Sequence, residues 1–512
     1  MSAKKRKARA STLPREATRD PCTIVIFGGD GDLALRMLYP ALFKLHVEGE
    51  LHPETRIIAV DISDMRKGML WDKAYARLGQ LKHIAPADHE WFPFAYRITY
   101  VTLDVSSPRA DDWQRLQREI SENSERTGGN VLFNISLPPH LYRKAVQGIG
   151  RHLLSRRQQR GWKRVMIEKP FGENKRSAEK LNSLLKQFFD ESEIYRIDHY
   201  LGKETVQSIL ALRFANTVFE QLWDPRIIDY VQITAAEAIG VEGRNWFYDK
   251  AGALRDMVPS HLFQILALCA MSTPDSRDAQ DIWRKQVEVL NAIQRIKPGD
   301  VVRGQYHAGN GMRTYGEDLG QESQTETYVA FRLFVTEGPF ANRPIYLRTG
   351  KRLPRKLTQV LIAFQRPQNV LMSGLITAPN RLVINIQPEE GLAIRIEEKA
   401  PGRALALQPV DMQFDFTQQY PEGMPESYEA ILLAALEGNL GFFSGGEQVV
   451  RCWALIDPIV TRFRRANGQG KGPEPYAAGT WGPPSPPAWP EWHNPSVEVN
   501  SRAGTNRPAL SR

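Results

Sequence analysis

Three separated segments of this chain carry side chains of the kinds that move protons and grip phosphate. The stretch Arg196-Ile197-Asp198-His199-Tyr200-Leu201-Gly202-Lys203-Glu204 holds an acid, an imidazole, a phenol and an ammonium close together. Asp256-Met257-Val258-Pro259-Ser260-His261 supplies a second acid and a second histidine, and Glu168-Lys169-Pro170-Phe171-Gly172 offers a lysine beside a proline. Histidine is the natural proton acceptor near neutral pH. His199 and Lys203 are four apart, so on a helix they share one face, where two cationic groups suit a phosphate dianion. A solvated helical face is the competing reading of that pair.

A fourth segment speaks of nucleotide. The apolar run Thr23–Phe27 leads into Gly28-Gly29-Asp30-Gly31-Asp32-Leu33-Ala34 and then into a helical pattern. A glycine-bearing turn between a strand and its helix lets backbone approach a pyrophosphate at the helix N-terminus, where unpaired N–H groups favour an anion. The spacing Gly28, Gly31, Ala34 meets the dinucleotide fingerprint only in part. The next apolar run, Arg56–Val60, ends in Asp61, the usual place for an acid that reads the adenosine ribose.

The elements that must position these groups follow from periodicity. Thr23–Phe27, Arg56–Val60, Tyr100–Val105, Val131–Ile135 and Arg164–Ile167 read as buried strands, and Leu35, Leu38, Leu42 and Leu45 recur at helical spacing between the first two. Strand and helix in turn imply an α/β, Rossmann-like, doubly wound parallel sheet. After about residue 200 the texture changes. Ser260–Met271 reads as a buried helix with Ser260 as its N-cap. Thr327–Val335, Thr358–Phe364, Arg381–Ile386 and Leu392–Glu397 alternate as strands do, which predicts an α+β domain with a large, mostly antiparallel sheet. The expected organisation is a basic disordered tail over 1–20, a dinucleotide domain over 21–200, a substrate and oligomerisation domain over 201–485, and a mobile Gly/Pro-rich tail over 486–512, with mobility setting in after Pro483.

Bulk composition agrees. At 512 residues the chain exceeds what one core usually supports. It is 42% hydrophobic and 24% charged, which is ordinary for a globular protein. No apolar run reaches the roughly 18 residues of a membrane span, and no apolar segment follows the basic N-terminus as in a secretory signal. Three scattered cysteines, Cys22, Cys269 and Cys452, argue for a reducing cytoplasm and against disulfides or a zinc site. The net charge of +9 and the run Lys4–Arg9 could serve nucleic acid; a solvated tail is the simpler reading, and no nucleic-acid or membrane partner is expected.

Taken with GGDGDLA, the segments EKPFG, RIDHYLGKE and DMVPSH make the chain resemble the glucose-6-phosphate dehydrogenase family. The likeness runs from about 23 to about 485 and includes ALRFAN (211–216), EGR (242–244), FYDKAGALRDM (247–257), VRGQYHAG (302–309), YLRTGKRLP (346–354) and YAAGTWGP (476–483). The resemblance implies oxidation of C1 of glucose 6-phosphate to 6-phosphogluconolactone, with hydride passed to NAD or NADP, as the first step of the oxidative pentose phosphate pathway. It implies His261 as the base, Asp198 as the carboxylate orienting it, and Lys169 as a bridge between substrate and nicotinamide, with Pro170 linked to its placement. His199, Tyr200 and Lys203 would hold the 6-phosphate, and Glu237, Asp256, Lys351 and Lys356 the sugar hydroxyls. Gly28, Gly29, Asp30, Gly31, Asp32, Leu33 and Asp61 would line the dinucleotide. No metal is implied, and a homodimer or homotetramer is.

Departures cluster at the two ligands. A basic residue that helps bind the sugar phosphate in the family is Met37 here; losing one charge-assisted hydrogen bond costs about 1.5–3 kcal/mol. Arg36 beside it faces elsewhere on a helix. NADP-dependent members place an arginine after the second strand, whereas this chain has Asp61 and Ile62 there and Asp30 in the loop. Two carboxylates facing a 2′-phosphate repel it by roughly 4 kcal/mol at 4 Å and an effective dielectric of 20. The family default is therefore NADP while the local residues favour NAD, with Arg66 a candidate to rescue the phosphate. Pro259-Ser260 replaces a usual Gln-Asn before His261. Two alternatives stand beside the main reading: a related sugar dehydrogenase of the wider group with an EKP motif, and a non-catalytic paralogue.

Overall fold

The computed structural model describes residues 20–495 apart from 65–66, 81–85, 108–109, 155–159, 243–244, 369, 373, 377, 403–404 and 421–423. The basic run Lys4–Arg9, Arg66 and residues 496–512 lie outside the described residues. By contacts the chain forms two compact units, both interleaved in sequence. One runs up to Glu168 and takes in Leu184–Tyr195 and Tyr428–Leu440; the other comprises Lys169–Ser183, Arg196–Ser427 and the chain from Gly441 onward. The stretches expected from sequence, 21–200 and 201–485, were continuous.

The first unit is built on β1 (Thr23–Phe27), β2 (Arg56–Asp61), β3 (Ile98–Thr102), β4 (Val131–Ile135), β5 (Lys163–Ile167) and the first two residues of β6 (Ile194–Ile197), lying in the order β6-β5-β4-β1-β2-β3. β1 pairs in parallel with β2 and β4, and further parallel pairs join β2 to β3 and β4 to β5. All five residues of β1 are buried, as expected of a central strand covered on both faces. The helical run after the glycine loop passes through a π segment, Ala34–Leu38, into the α-helix Tyr39–Val47, with Leu38, Leu42 and Leu45 turned into the core. β3 begins and ends earlier than the expected Tyr100–Val105. Its partner β2 stops at Asp61, opposite Thr102, so the ladder has nothing further to pair with.

The second unit carries β7 (Ile228–Ala236), β8 (Val301–His307), β9 (Tyr328–Leu333), β10 (Ile345–Gly350), β11 (Leu357–Phe364), β12 (Arg381–Gln387), β13 (Gly391–Lys399), β14 (Leu407–Asp415), β15 (Phe443–Ser444) and β16 (Glu474–Ala477). Nine of them form one sheet in the order β14-β13-β12-β11-β7-β10-β9-β8-β16. Its pairs are antiparallel except β7 with β10 and β8 with β16. β15 pairs antiparallel with Arg196–Ile197.

Residues 486–495, expected to be mobile, pack on this sheet. Trp489 is buried with its ring centroid 5.4 Å from that of Tyr346, Gln232 accepts from the backbone N–H of His493 at 2.9 Å, and Gln359 donates to the His493 carbonyl at 2.8 Å. Proline and glycine content pointed to mobility, but the tryptophans supply enough apolar area to hold the segment down. Cys22, Cys269 and Cys452 are buried and free, and no helix among the described residues is long and apolar enough to cross a membrane.

Candidate active site

In the second unit, Asp198 follows directly on β6. That strand end is held by Arg196, fully buried, whose Nε donates to Asn182 Oδ1 at 3.0 Å. Asp198 then folds the chain back on itself, accepting from the N–H of Tyr200 at 3.0 Å through Oδ1 and from the N–H of Leu201 at 2.9 Å through its carbonyl. His199–Gly202 is therefore a turn, and the helix begins only at Glu204 with Lys203 at its N-cap. The shared helical face expected for His199 and Lys203 does not exist; an Asx-type turn brings both to one place instead.

His261 comes from a second element. Gly252 sits at φ 70°, where an L-side chain is strained, and a Cβ there would collide with the Glu326 carboxylate. Glu326 uses that approach to accept from the N–H of Leu254 at 3.3 Å, capping the helical run that starts at Ala253. The run continues through a π segment, Val258–Leu262, into the buried helix Phe263–Ala270. Ser260 is therefore interior to the run rather than its N-cap, and its hydroxyl donates to the Asp256 carbonyl at 2.8 Å. Pro259 cannot make the α-helical bond to residue 255, which the wider turn accommodates. The π turn also sets the phase. Residues five apart lie about 140° apart around a regular α-helix, yet Asp256 and His261 both reach the same ammonium. Behind them, Gln448 bonds Gln264, one turn past His261, and Gln286.

These elements converge on a relay whose carboxylate and imidazole are buried. His261 Nδ1 is 2.7 Å from Asp198 Oδ1, and His261 Nε2 is 2.8 Å from Lys169 Nζ. Lys169 Nζ also donates to Asp256 Oδ1 at 3.4 Å, and the Lys169–Pro170 peptide is cis. The partners fix the tautomer: Nδ1 must donate to a carboxylate, and Nε2 must accept from an ammonium. Burial drives the His261 pKa well below 6.5, and Lys169 drives it further down, so the imidazole is neutral. Burial raises Asp198 to about 6 against the opposing pull of His199, Lys169 and the Tyr200 N–H. Its Oδ2 is buried with no hydrogen-bond partner among the described residues, consistent with that rise. Asp256 is held below the usual carboxylate range: burial pushes it up, but the ammonium groups of Lys169 and Lys351 outweigh that.

Around the relay stand rings and charges. Tyr200 stacks on His261 with centroids 4.1 Å apart, and His199 meets His261 edge-on at 4.6 Å. The Tyr200 hydroxyl accepts from Gln387 at 3.1 Å and is 3.3 Å from Thr358 Oγ1. Burial lowers the Lys203 pKa, opposed by Glu390 and reinforced by Lys356. As the N-cap residue, Lys203 places its ammonium-bearing side chain at the positive end of the helix Glu204–Phe214, an arrangement suited to an anion. Lys351 donates to Glu237 Oε2 at 2.7 Å and lies 4.8 Å from the centre of the Tyr248 ring. Asp198, His199 and His261 bring one possible metal-ligand atom each within 4.8 Å of one another; here both His261 nitrogens are engaged by Asp198 and Lys169.

The first unit holds the glycine loop. Gly28 has φ 83°, and a Cβ on it would lie 2.5 Å from the Ser136 carbonyl oxygen; one on Gly29 would lie 2.8 Å from the Ala59 Cβ. The loop is bare backbone where side chains cannot fit, and a helical run opens at Asp32, so Gly28–Leu33 fit a pyrophosphate. The carboxylates depart from expectation. Asp61 Oδ2 accepts from the Asp30 N–H at 3.0 Å and Oδ1 from the Ile62 N–H at 2.8 Å, while the Asp30 carboxylate pairs with Lys73, both contacts 2.9 Å. The two acids are not without a cation beside them, since Lys73 pairs with one of them. Arg36 pairs with Asp32 at 3.1 Å on the exposed face, and Met37 is half-buried in the π segment.

Comparison with known proteins decides the lineage. The glucose-6-phosphate dehydrogenase NAD-binding-domain profile matches residues 25–208, and the C-terminal-domain profile of the same family matches 210–493. This chain belongs to the glucose-6-phosphate dehydrogenase family. It is 37% identical over 493 residues to glucose-6-phosphate 1-dehydrogenase of Dickeya dadantii, covering 91% of this chain and 96% of the relative. Among solved structures, a glucose-6-phosphate dehydrogenase in complex with its substrate glucose-6-phosphate superposes with a TM-score of 0.85 at 30% identity, covering 91% of this chain and 96% of that one. A glucose-6-phosphate 1-dehydrogenase from Mycobacterium avium does so at 0.76 and 32% identity, covering 90% and 96%. The protein is thus an oxidoreductase acting on a CH–OH group, with a nicotinamide-cofactor domain joined to a large, mostly antiparallel sheet.

Within this chain, Lys169, Asp198, His199, Tyr200, Asp256 and His261 form one connected cluster. Glu237 and Lys351 pair with each other, and Lys356 is an exposed neighbour in charge of Lys203. Sequence reasoning missed Thr358 and Gln387 beneath Tyr200, Glu326 as the cap, and Lys73. None lies in a local motif. Lys73 alone had a signal, as a cation one helix beyond the strand that ends in Asp61.

Proposed function

We propose that the protein is a glucose-6-phosphate 1-dehydrogenase that oxidises C1 of glucose 6-phosphate to 6-phosphogluconolactone. The Asp198–His261–Lys169 relay carries this reading: a buried, neutral imidazole, oriented by a carboxylate, with its accepting nitrogen aimed at an ammonium. When the sugar enters, Lys169 yields Nε2 to the C1 hydroxyl, His261 takes that proton, and Asp198 stabilises the imidazolium. The nicotinamide ring, when bound, accepts the hydride that leaves C1. Asp256 offers Lys169 a second partner while it is away from the base.

His199, Tyr200 and Lys203 hold the 6-phosphate in this proposal, and Glu237, Asp256, Lys351 and Lys356 hold sugar hydroxyls. Gly28, Gly29, Asp30, Gly31, Asp32 and Leu33 cradle the pyrophosphate, Asp61 reads the ribose, and Lys169 also touches the nicotinamide. Residues 21–200 would then serve the dinucleotide and 201–485 the sugar and the subunit contact. NAD is favoured over NADP because Asp61 and Asp30 outnumber the one described cation paired with them, Lys73. A cytoplasmic homodimer or homotetramer fits three buried free cysteines and an edge strand, β14, that exposes Met412 and Phe414.

Purified protein should reduce a nicotinamide cofactor with glucose 6-phosphate far faster than with free glucose at equal concentration. Equal rates would favour an unphosphorylated sugar, and no turnover from folded protein would favour a non-catalytic role.

A further inference from the structure

Three ionised side chains meet where β2 runs into the glycine loop. Asp61 is anchored by two backbone N–H groups, those of Asp30 and Ile62. The Asp30 carboxylate, among the described residues, bonds only to Lys73, which reaches it from the helix Lys67–Leu78 with contacts of 2.9 Å to both oxygens. The Lys73 side chain is 46% exposed and the Asp30 side chain 16%. The lysine is therefore a cation at the surface, held over by a more buried acid.

The acid at the end of the second strand is where sites of this kind read the adenosine ribose, whether as free hydroxyls or with a 2′-phosphate. A 2′-phosphate arriving there meets two carboxylates and one ammonium, a net charge of one negative. Without the charge on Asp30, the sum is zero, and the three N–H donors of Lys73 become available to phosphate oxygens. We infer that Lys73 is a latent 2′-phosphate ligand masked by Asp30, and that this pair, rather than Asp61 alone, sets the preference between the two nucleotides. The inference rests on the reading of Gly28–Leu33 and Asp61 as the dinucleotide site. Asp61 is the poorer handle on selectivity, because it also pins the loop and its removal disturbs both nucleotides together.

The test is calorimetric titration of the full-length protein with 5′-AMP and with adenosine 2′,5′-bisphosphate, read as the ratio of their dissociation constants. Asp30→Asn should shift that ratio toward the bisphosphate by about tenfold or more, a shift that shrinks at high salt. Lys73→Met should move it the other way, and Asp30→Asn combined with Lys73→Met should lose the gain of the single variant, since contacting residues are not additive. An unchanged ratio in Asp30→Asn, or a gain that survives the loss of Lys73, overturns the inference while leaving the dinucleotide site standing. A wild-type protein that binds neither nucleotide overturns the dinucleotide reading and this inference with it.

Discussion

Lys169 Nζ lies 2.8 Å from His261 Nε2, so the proposed base has a hydrogen-bond donor on the lone pair that the proposed proton transfer would use. The same ammonium reaches Asp256, at 3.4 Å. The contact favours a neutral, aimed His261, and in the proposed reaction it makes the arrival of a hydroxyl an exchange of donors rather than a desolvation of a bare nitrogen.

Replacing His261 by Asn removes the proton acceptor but leaves the phosphate contacts. Turnover should fall by about 10²–10⁴, with substrate affinity, measured by equilibrium binding, nearly intact. A variant that keeps most of its kcat would take His261 out of the base role.

Asp198 must be ionised to hold the Nδ1–H of His261, and burial has raised it to about 6. The kcat/KM of the free enzyme should therefore fall about tenfold per pH unit below that value. Protonation of His261 sets in lower, because its own pKa is depressed. A flat profile from about pH 5 to about pH 7 would show that Asp198 does not titrate there.

The same acid costs stability. Its folded pKa lies above the ordinary 3.8, so the native state binds protons more tightly and loses stability as pH rises from about 4 through about 6. Fully ionised, that difference is worth roughly 3 kcal/mol. Asp198→Asn should raise the thermal midpoint at about pH 7.5, well above the folded value, and lose that gain toward about pH 4, while abolishing most activity. A variant no more stable than wild type at the higher pH would contradict this sign.

Lys203 should report the phosphate. Lys203→Ala removes one charge-assisted contact worth about 1.5–3 kcal/mol, so KM for glucose 6-phosphate should rise roughly 10–150-fold and the preference over free glucose should shrink. A KM within about twofold of wild type would place the phosphate elsewhere.

Gly252→Ala forces an L-residue into φ 70° and drives a methyl at the Glu326 carboxylate. It should cost about 1–3 kcal/mol in unfolding experiments, and it should lower kcat because Asp256 and His261 ride on the helix that Glu326 caps. Unaltered stability would mean that the kink relaxes freely.

The sequence by itself determined the parallel βαβ half and the glycine loop, because strand and helix periodicity and motif spacing are written in neighbouring residues, and its family resemblance singled out the residues proposed as acid, base and phosphate-binding groups. The four strands read from alternation in the second half are present with ends shifted by a few residues. Only tertiary structure decided which groups touch. Asp198 and His261 are 63 residues apart, and Lys169 and His261 are 92 apart. The π turn that phases Asp256 with His261 depends on a proline and a distant glutamate cap, and the turn at His199–Gly202 depends on the Asp198 carboxylate, so neither follows from helical spacing. The partners of Asp30 and Asp61 were hidden for the same reason: a like-charge argument counts the charges on one strand and loop, whereas the fold brings up Lys73 from the following helix and backbone N–H groups to share them.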